Sequence, residues 1–339
     1  MKILKIMLPV LLVLIVFVTL HGREADTASD RISGGFTFAL IGDIPRFGDK
    51  ELEPDLTQFK TLRKEINDAD VHFIVHDGDF KSGSSPCSDS EFQRWSDLIK
   101  TFDAPFFFVN GDNEWVDCHR GDGNGYDPIE RLSKLREMFY SEPSSLGKEK
   151  LAMTRQSDIP AKPEYKDYSE NFRWDYGGIT FVGLNVQGSN NNLGRTAEMD
   201  AEFQARNEAV NAFLKESFAE AKKNDSLAIV VTIQANPRFE NPAKDPAKDG
   251  YFDFRAVLEE ETIAFGPKPV ILVHGDSHYF RIDKPMKGAK SKRRVEHFTR
   301  VETFGTPDVH WLLARVDYDN PSLFIFEQRI VQENLIDHR

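Results

Sequence analysis

The chain has 339 residues, with 43 Lys and Arg against 55 Asp and Glu, a formal net charge of −12, 40% hydrophobic residues and 27 Phe. That is enough apolar material for one large domain or two small ones, and the mixed charge with frequent aromatics excludes wholesale disorder. The acidic balance argues against a protein that grips nucleic acid through its overall field, so an anionic substrate would need a local positive site, most simply a metal ion.

Lys2 and Lys5 precede an apolar run from Ile6 to Leu20, after which His21, Gly22 and Arg23 restore polarity. The run is short for a bilayer span and has the length of a signal-peptide core. Residues 1–22 therefore read as an export signal, with an uncleaved membrane anchor at residues 6–20 as the alternative. No lipobox-like Cys follows. Residues 23–35 form a polar, small-residue linker, and residues 36–339 read as one domain. The reading therefore places the protein outside the cytoplasm, with the membrane involved only through the possible anchor.

From there strand-like and helix-like segments alternate. Phe36–Ile41 reads as a buried strand, Leu56–Asn67 as a helix, and Val71–Val75 as the next strand. Glu91–Phe102 has Phe92, Trp95, Leu98 and Ile99 on one helical face. Pro105–Val109 is a third strand, and Asp127 caps a helix over Pro128–Tyr140. Phe172–Tyr176, a Gly177-Gly178 turn and Ile179–Val186 form a hairpin. A long helix covers Glu198–Lys223, followed by a strand at Ala228–Ile233, a loop from Asn236 to Gly250, a helix at Phe252–Phe265 and a strand at Val270–His274. His297–Phe304, His310–Asp317 and Leu323–Phe326 make a strand-rich tail. The pattern implies an α/β domain with a large mixed sheet covered by helices.

The chemistry-bearing residues sit where strands end, the edge at which open α/β sheets place their sites. Strand ends carry Gly42-Asp43, His76-Asp77-Gly78-Asp79, Asn110-Gly111-Asp112-Asn113-Glu114, Gln234-Ala235-Asn236 and Gly275-Asp276-Ser277-His278. A single Asp after a strand is an ordinary turn residue or helix cap. A series of them delivered to one edge repels itself unless a cation lies among them. Both cysteines, Cys87 and Cys118, follow such turns. In an oxidising compartment they would bridge two site loops; in a reducing one they would be free thiols.

The order and spacing of these turns resemble the calcineurin-like metallophosphoesterases over about residues 36–280. The family pattern is D-x-H, GD, GNH(D/E), a lone His after a strand, and GHxH. The resemblance implies a four-layer β-sandwich of mixed sheets flanked by helices, a two-metal site at the sheet edge, and hydrolysis of phosphomonoesters or phosphodiesters by a metal-activated water. Carried over by position, Asp43 and Asp79 match the first Asp and the bridging Asp, and His278 matches the final His. Pro45 stands in place of a His, Asp112 of the Asn, Asn113 of the catalytic His, Gln234 of the lone His and Asp276 of the first His of the last motif, while Glu114 fills the acidic place.

The implied metal set is thus Asp43, Asp79, Asp112, Gln234, Asp276 and His278, nearly all oxygen donors. Such a set favours Mn, Mg, Ca or Fe over Zn, with one or two ions held. Asn113 and Glu114 occupy the catalytic positions; Asn113 can donate a hydrogen bond but cannot supply a proton. Proton supply could pass to Glu114, His119 or a metal-bound water, although His119 reads more readily as a surface-loop residue. His76 and His274 close strands just before the motifs and are candidates for orienting ligands. Arg46 and Arg281 follow the first and last motifs and could contact phosphate oxygens. Asn190-Asn191-Asn192 is a turn or a substrate loop, and the basic run Lys287, Lys290, Lys292, Arg293 and Arg294 reads as a solvated loop. The expected activity is hydrolysis of a small-molecule or other phosphoester, with no dedicated nucleic-acid binding. The alternative is a binding or structural protein that keeps the scaffold without the catalysis.

Overall fold

The computed structural model describes residues 32–45, 52–121 and 125–335. The expected signal or anchor, most of the linker, and Arg46 lie outside the described residues. Among the described residues no helix is long and apolar enough to cross a membrane.

The strands pair into two mixed sheets rather than the one large sheet that the strand pattern alone suggests. The first sheet has five strands in the order β12-β11-β1-β2-β3. Here β1 (Phe36–Ile41), β2 (Ile74–His76) and β3 (Phe106–Phe108) run parallel, while β11 (Trp311–Val316) and β12 (Phe324–Arg329) add antiparallel at the β1 side. The second has seven strands in the order β4-β5-β6-β7-β8-β10-β9. Its centre, β6 (Ile179–Gly183), β7 (Ala228–Thr232), β8 (Val270–His274) and β10 (Phe298–Glu302), is parallel. Its margins are antiparallel, formed by β4 (Thr154–Arg155), β5 (Phe172–Tyr176) and β9 (Arg281–Asp283). Short runs such as β4 and β9 carry no period that a sequence pattern could register.

The two sheets meet through aromatic rings. Phe38 packs edge-on against Phe181 at 5.4 Å between centroids, and Phe107 stacks on Trp174 at 3.6 Å. Alternation then sends the other faces outward. On β7, Ala228 and Val230 join this shared core, whereas Ile229 and Val231 join a second cluster with Val210, Phe213, Leu214 and Leu258. That second cluster is supplied by the long helices α5 (Ala197–Lys223) and α6 (Phe252–Phe265). On the far side of the first sheet, α1 (Leu52–Asp68), α2 (Asp89–Ile99) and α3 (Pro128–Phe139) contribute Phe59, Trp95 and Phe139. The result is helices, sheet, sheet, helices, the four-layer sandwich implied by the family resemblance.

The caps follow sequence. Ser88 Oγ accepts from Glu91 N at the start of α2, Asp127 from Ile129 N with Pro128 in the first turn of α3, and Thr196 from Met199 N at α5. Between β6 and α5 the single turn α4 (Gly188–Asn191) is left-handed, with φ of 47° at Ser189, 55° at Asn190 and Asn191, and 69° at Asn192. Asn tolerates this region better than most residues, which suits the Asn190-Asn191-Asn192 run.

Candidate metal centre

The parallel strands of both sheets end on the same edge. Asp43 follows β1, Asp77 and Asp79 follow β2, Asp112 to Glu114 follow β3, Gln234 follows β7, and Asp276 and His278 follow β8. One carboxylate oxygen each from Asp79, Asp112 and Asp276 lie within 4.8 Å of one another. Both sheets therefore supply the cluster. Asp43 and His278 lie alongside, with His278 Nε2 2.9 Å from Asp43 Oδ1.

Each loop is held by specific bonds. Glu114 is fully buried; its Oε2 accepts from Gly111 N at 2.6 Å and Asp79 N at 3.1 Å, and its Oε1 from Phe80 N at 2.7 Å. His76 donates from Nε2 to Ile44 O at 2.6 Å and accepts at Nδ1 from Gly78 N at 3.1 Å, which ties the first two loops together. Burial pushes its pKa down to about 4, so it stays neutral. Gly78 has φ 118°, and a side chain there would meet Gln234 Cγ at 2.6 Å. The disulfide Cys87–Cys118 joins the segment after Asp79 to the segment after Glu114.

Asp79 Oδ1 accepts from Asn113 N at 3.0 Å, and its Oδ2 from Asn113 Nδ2 at 2.7 Å and Gln234 Nε2 at 3.1 Å. Asp112 Oδ2 accepts from Ser189 Oγ at 2.7 Å, and the same hydroxyl lies 2.8 Å from Asp117 Oδ1. Burial raises the acid pKa values most, and neighbouring carboxylates add to it. Asp112 rises to about 6, first by burial and then by the Asp276 charge; Asp276 rises to about 6, first by burial and then by the Asp43 charge. Asp79 rises well above the carboxylate range by burial and by Asp112 and Glu114. Glu114 rises to about 7 by burial, opposed by the charge of the buried Lys81 and by its three backbone donors.

These residues fit a divalent cation. Oδ2 of the buried Asp43 and Oδ1 of the buried Asp77 accept no hydrogen bond among the described residues, and Asp43 Oδ1 has His278 Nε2 at 2.9 Å. Buried carboxylate oxygens without donors are costly, and a cation is their natural partner.

Gln234 takes a defined orientation at this edge. Its Oε1 accepts from Gly188 N at 2.6 Å, which fixes the amide so that Nε2 faces Asp79 Oδ2 and Asp276 Oδ1, both at 3.1 Å. In this orientation Gln234 donates to both carboxylates. Arg281 is occupied as well, paired with Glu302 at 2.5 Å and lying 3.7 Å from Glu240. Neither ring nitrogen of the fully buried His274 makes a hydrogen bond, and Glu302 Oε1 is 3.7 Å from Nδ1. His119 is exposed, its Nδ1 2.8 Å from Val116 O and its ring against Arg195. The basic run near Lys287 is exposed. A cavity of about 840 Å³ beside it, lined by Phe239, Glu240, Phe252, Asp283, Lys287 and Arg294, contains none of the site residues.

Residues that sequence reasoning passed over are Asp77, Ser189, Asp117 and Lys81. Asp77 stands directly between two residues that were singled out, and a second carboxylate in the same strand end was the available signal. Ser189 carries no local signal, because it reaches Asp112 from 77 residues away through a left-handed turn.

With this geometry in place, comparison with known proteins gives the assignment. The profile of the family described as calcineurin-like phosphoesterase matches residues 36–280. The chain belongs to the calcineurin-like phosphoesterase family. Among solved structures, it is similar to a dimetal phosphatase from Danio rerio at 12% identity and TM-score 0.46, covering 88% of this chain and 97% of that one. It is similar to PhoD at 11% identity and TM-score 0.49, covering 88% and 69%. It is similar to purple acid phosphatase PPD1 from yellow lupin (Lupinus luteus) seeds at 12% identity and TM-score 0.49, covering 89% of this chain and 52% of that one. No curated protein matches the sequence. As a calcineurin-like phosphoesterase, the chain departs from the family pattern by presenting carboxylates and amides where that pattern has imidazoles.

Proposed function

We propose that this chain is an exported, metal-dependent phosphoesterase that hydrolyses a phosphomonoester or phosphodiester, with no dedicated nucleic-acid role. The observation that carries the reading is the convergence of the Asp79, Asp112 and Asp276 carboxylates, one oxygen of each within 4.8 Å of the others, at the sheet edge where Asp43 and His278 also end. Asp43, Asp79 and His278 would hold one ion, and Asp79, Asp112 and Asp276 a second. The oxygen-rich set favours Mn, Mg, Ca or Fe over Zn. Bound there, such ions supply positive charge to the phosphoryl group and lower the pKa of water.

The chain's own residues orient and hold. His278 Nδ1 faces Thr306 O at 2.6 Å and donates to it, since a carbonyl only accepts; this turns Nε2 toward Asp43. Asn113 can hydrogen-bond a leaving oxygen but cannot protonate it. Glu114, with both oxygens engaged by backbone donors, sets the Asp79 loop rather than moving a proton. Proton supply to the leaving group then falls to solvent. The disulfide suits an oxidising compartment, which supports export.

The test is hydrolysis of p-nitrophenyl phosphate and bis(p-nitrophenyl) phosphate across Mn²⁺, Mg²⁺, Ca²⁺, Fe²⁺ and Zn²⁺. Turnover should rise with Mn²⁺ and disappear in Asp79→Ala. A purified protein that binds metal stoichiometrically and turns over neither ester with any of these ions would refute the enzymatic reading.

One observation favours a second reading, a binding or structural protein on the same scaffold. Gln234 and Asn113 direct side-chain amide donors into Asp79 and Asp276, a way of holding carboxylates together without an ion. This reading predicts that Mn²⁺ raises the melting temperature with no turnover to lose.

A further inference from the structure

The chain is acidic overall at −12, yet residues 284–294 hold six cations and no acid. The segment folds back on itself: Lys287 bridges to Arg294, Gly288 N donates to Arg293 O at 2.9 Å, and Lys292 N to Gly288 O at 2.8 Å. Lys287, Lys290, Lys292, Arg293 and Arg294 are exposed on this hairpin. Arg294 donates to Lys284 O, and among the described residues no carboxylate pairs with any of the five. The three acids lining the adjacent cavity of about 840 Å³ are engaged elsewhere. Glu240 and Asp283 pair with the fully buried Arg300, and Glu259 Oε1 accepts from Ala289 N at 2.5 Å.

Beside the hairpin runs an uncovered helix face. Phe252, Ala256, Glu259 and Ile263 recur at the spacing that puts them on one side of α6. The first three line the cavity, and a side chain on Gly288 would come 3.7 Å from Ile263 Cδ1, so the stripe lies along the hairpin. Phe252 is 45% and Ile263 52% exposed. Unpaired cations beside exposed apolar side chains suit an anionic bilayer surface, where headgroups meet the charge and the acyl boundary takes the apolar groups. A soluble polyanion would use the cations alone and leave Phe252 and Ile263 in water.

We propose that the basic hairpin and the Phe252 and Ile263 face of α6 form a surface that docks on an anionic lipid bilayer. The inference goes beyond the metal-dependent reading and does not rest on it, since none of these residues belongs to the metal centre. The sequence alone reads the basic run as a solvated loop because the apolar stripe beside it comes from a different element.

The test is partition of the full chain onto vesicles of phosphatidylcholine, alone or equimolar with phosphatidylserine. Wild type is compared with Lys290→Ala/Lys292→Ala/Arg293→Ala and with Phe252→Ser/Ile263→Ser. The apolar run from Ile6 to Leu20 is common to all three and cancels in the comparison. Wild type should prefer the phosphatidylserine vesicles, and the preference should shrink as salt is added. The triple variant should bind these vesicles on the order of 100-fold more weakly, about 5-fold for each cation. The Phe252/Ile263 variant should bind both kinds about 10-fold more weakly. Urea midpoints check that the variants fold; should the Phe252/Ile263 variant not fold, Ile263→Ser alone serves, with a loss of about 3-fold. A wild type indifferent to phosphatidylserine, or a triple variant that partitions as wild type does, would overturn the proposal. Loss in the triple variant with unchanged partition of the apolar one would overturn the bilayer as the partner and leave a soluble polyanion in its place.

Discussion

Replacing Asp112 by Asn should stabilise the metal-free protein at alkaline pH. Asp112 is 6% exposed, and burial together with the Asp276 charge lifts its pKa from 3.8 to about 6. A carboxylate whose folded pKa is raised costs nothing below its unfolded pKa. Its penalty grows as pH climbs through the window from 3.8 to about 6 and is complete above it. A shift of this size corresponds to about 3 kcal/mol at pH 8 and roughly half of that at pH 5. Asn keeps an oxygen for the Ser189 hydroxyl, so the substitution removes the charge and little else. The assay is a urea melt of chelator-treated wild type and Asp112→Asn at pH 8 and pH 5. Comparing the two proteins cancels the buried histidines, which titrate in both. At pH 8 the variant should be ahead by an amount equivalent to roughly 5 °C in melting temperature. At pH 5 the gap should be about half as large. With Mn²⁺ at about 100 times its Kd, wild type should recover about 2.7 kcal/mol and the gap should close. A metal-free Asp112→Asn that is less stable than wild type at pH 8 would refute the view that these acids repel one another in the absence of a cation.

Reducing the Cys87–Cys118 bridge, or replacing both residues by Ser, should cost about 3–4 kcal/mol for a separation of 31 residues, read from urea midpoints with and without reductant. An unchanged midpoint would mean that the two loops are held equally well by their other contacts. Glu114→Gln should destabilise the protein by about 1–3 kcal/mol, because its amide nitrogen must face backbone donors now paired with carboxylate oxygen. The same variant should bind Mn²⁺ more weakly, since the Asp79 loop loses its anchor; unaltered stability and affinity would exclude the clamp role.

Much of the fold was readable along the chain because its signals are local. The β1, α6 and β8 spans agree residue for residue, and Asp127 with Pro128 marked the start of α3. Pairing was not readable. Phe181 and Val182 look alike in sequence, yet one faces the other sheet and the other faces α5. Most site positions were legible because each follows a strand and the family pattern has a regular order. Orientation was not, because it depends on distant donors: Gly188 N decides which end of Gln234 points at the carboxylates from 46 residues away. Asp77 was passed over because Gly78-Asp79 accounted for the motif, and only burial without a hydrogen-bond partner distinguishes its Oδ1.

The carboxylate edge is also a seam. Asp43, Asp79 and Asp112 belong to one sheet, Asp276 and His278 to the other, and polar bonds cross between the sheets at this edge, among them Thr303 to Asp77, Gln234 to Asp79 and Asn110 to Asn185. An ion shared across this edge acts as a clasp, and opening the sandwich means breaking its coordination before the aromatic core is wetted. Interactions that yield only on the way to the unfolding barrier slow escape from the native state more than they speed its formation. The loaded protein should therefore outlast proteases for far longer than its equilibrium stability suggests.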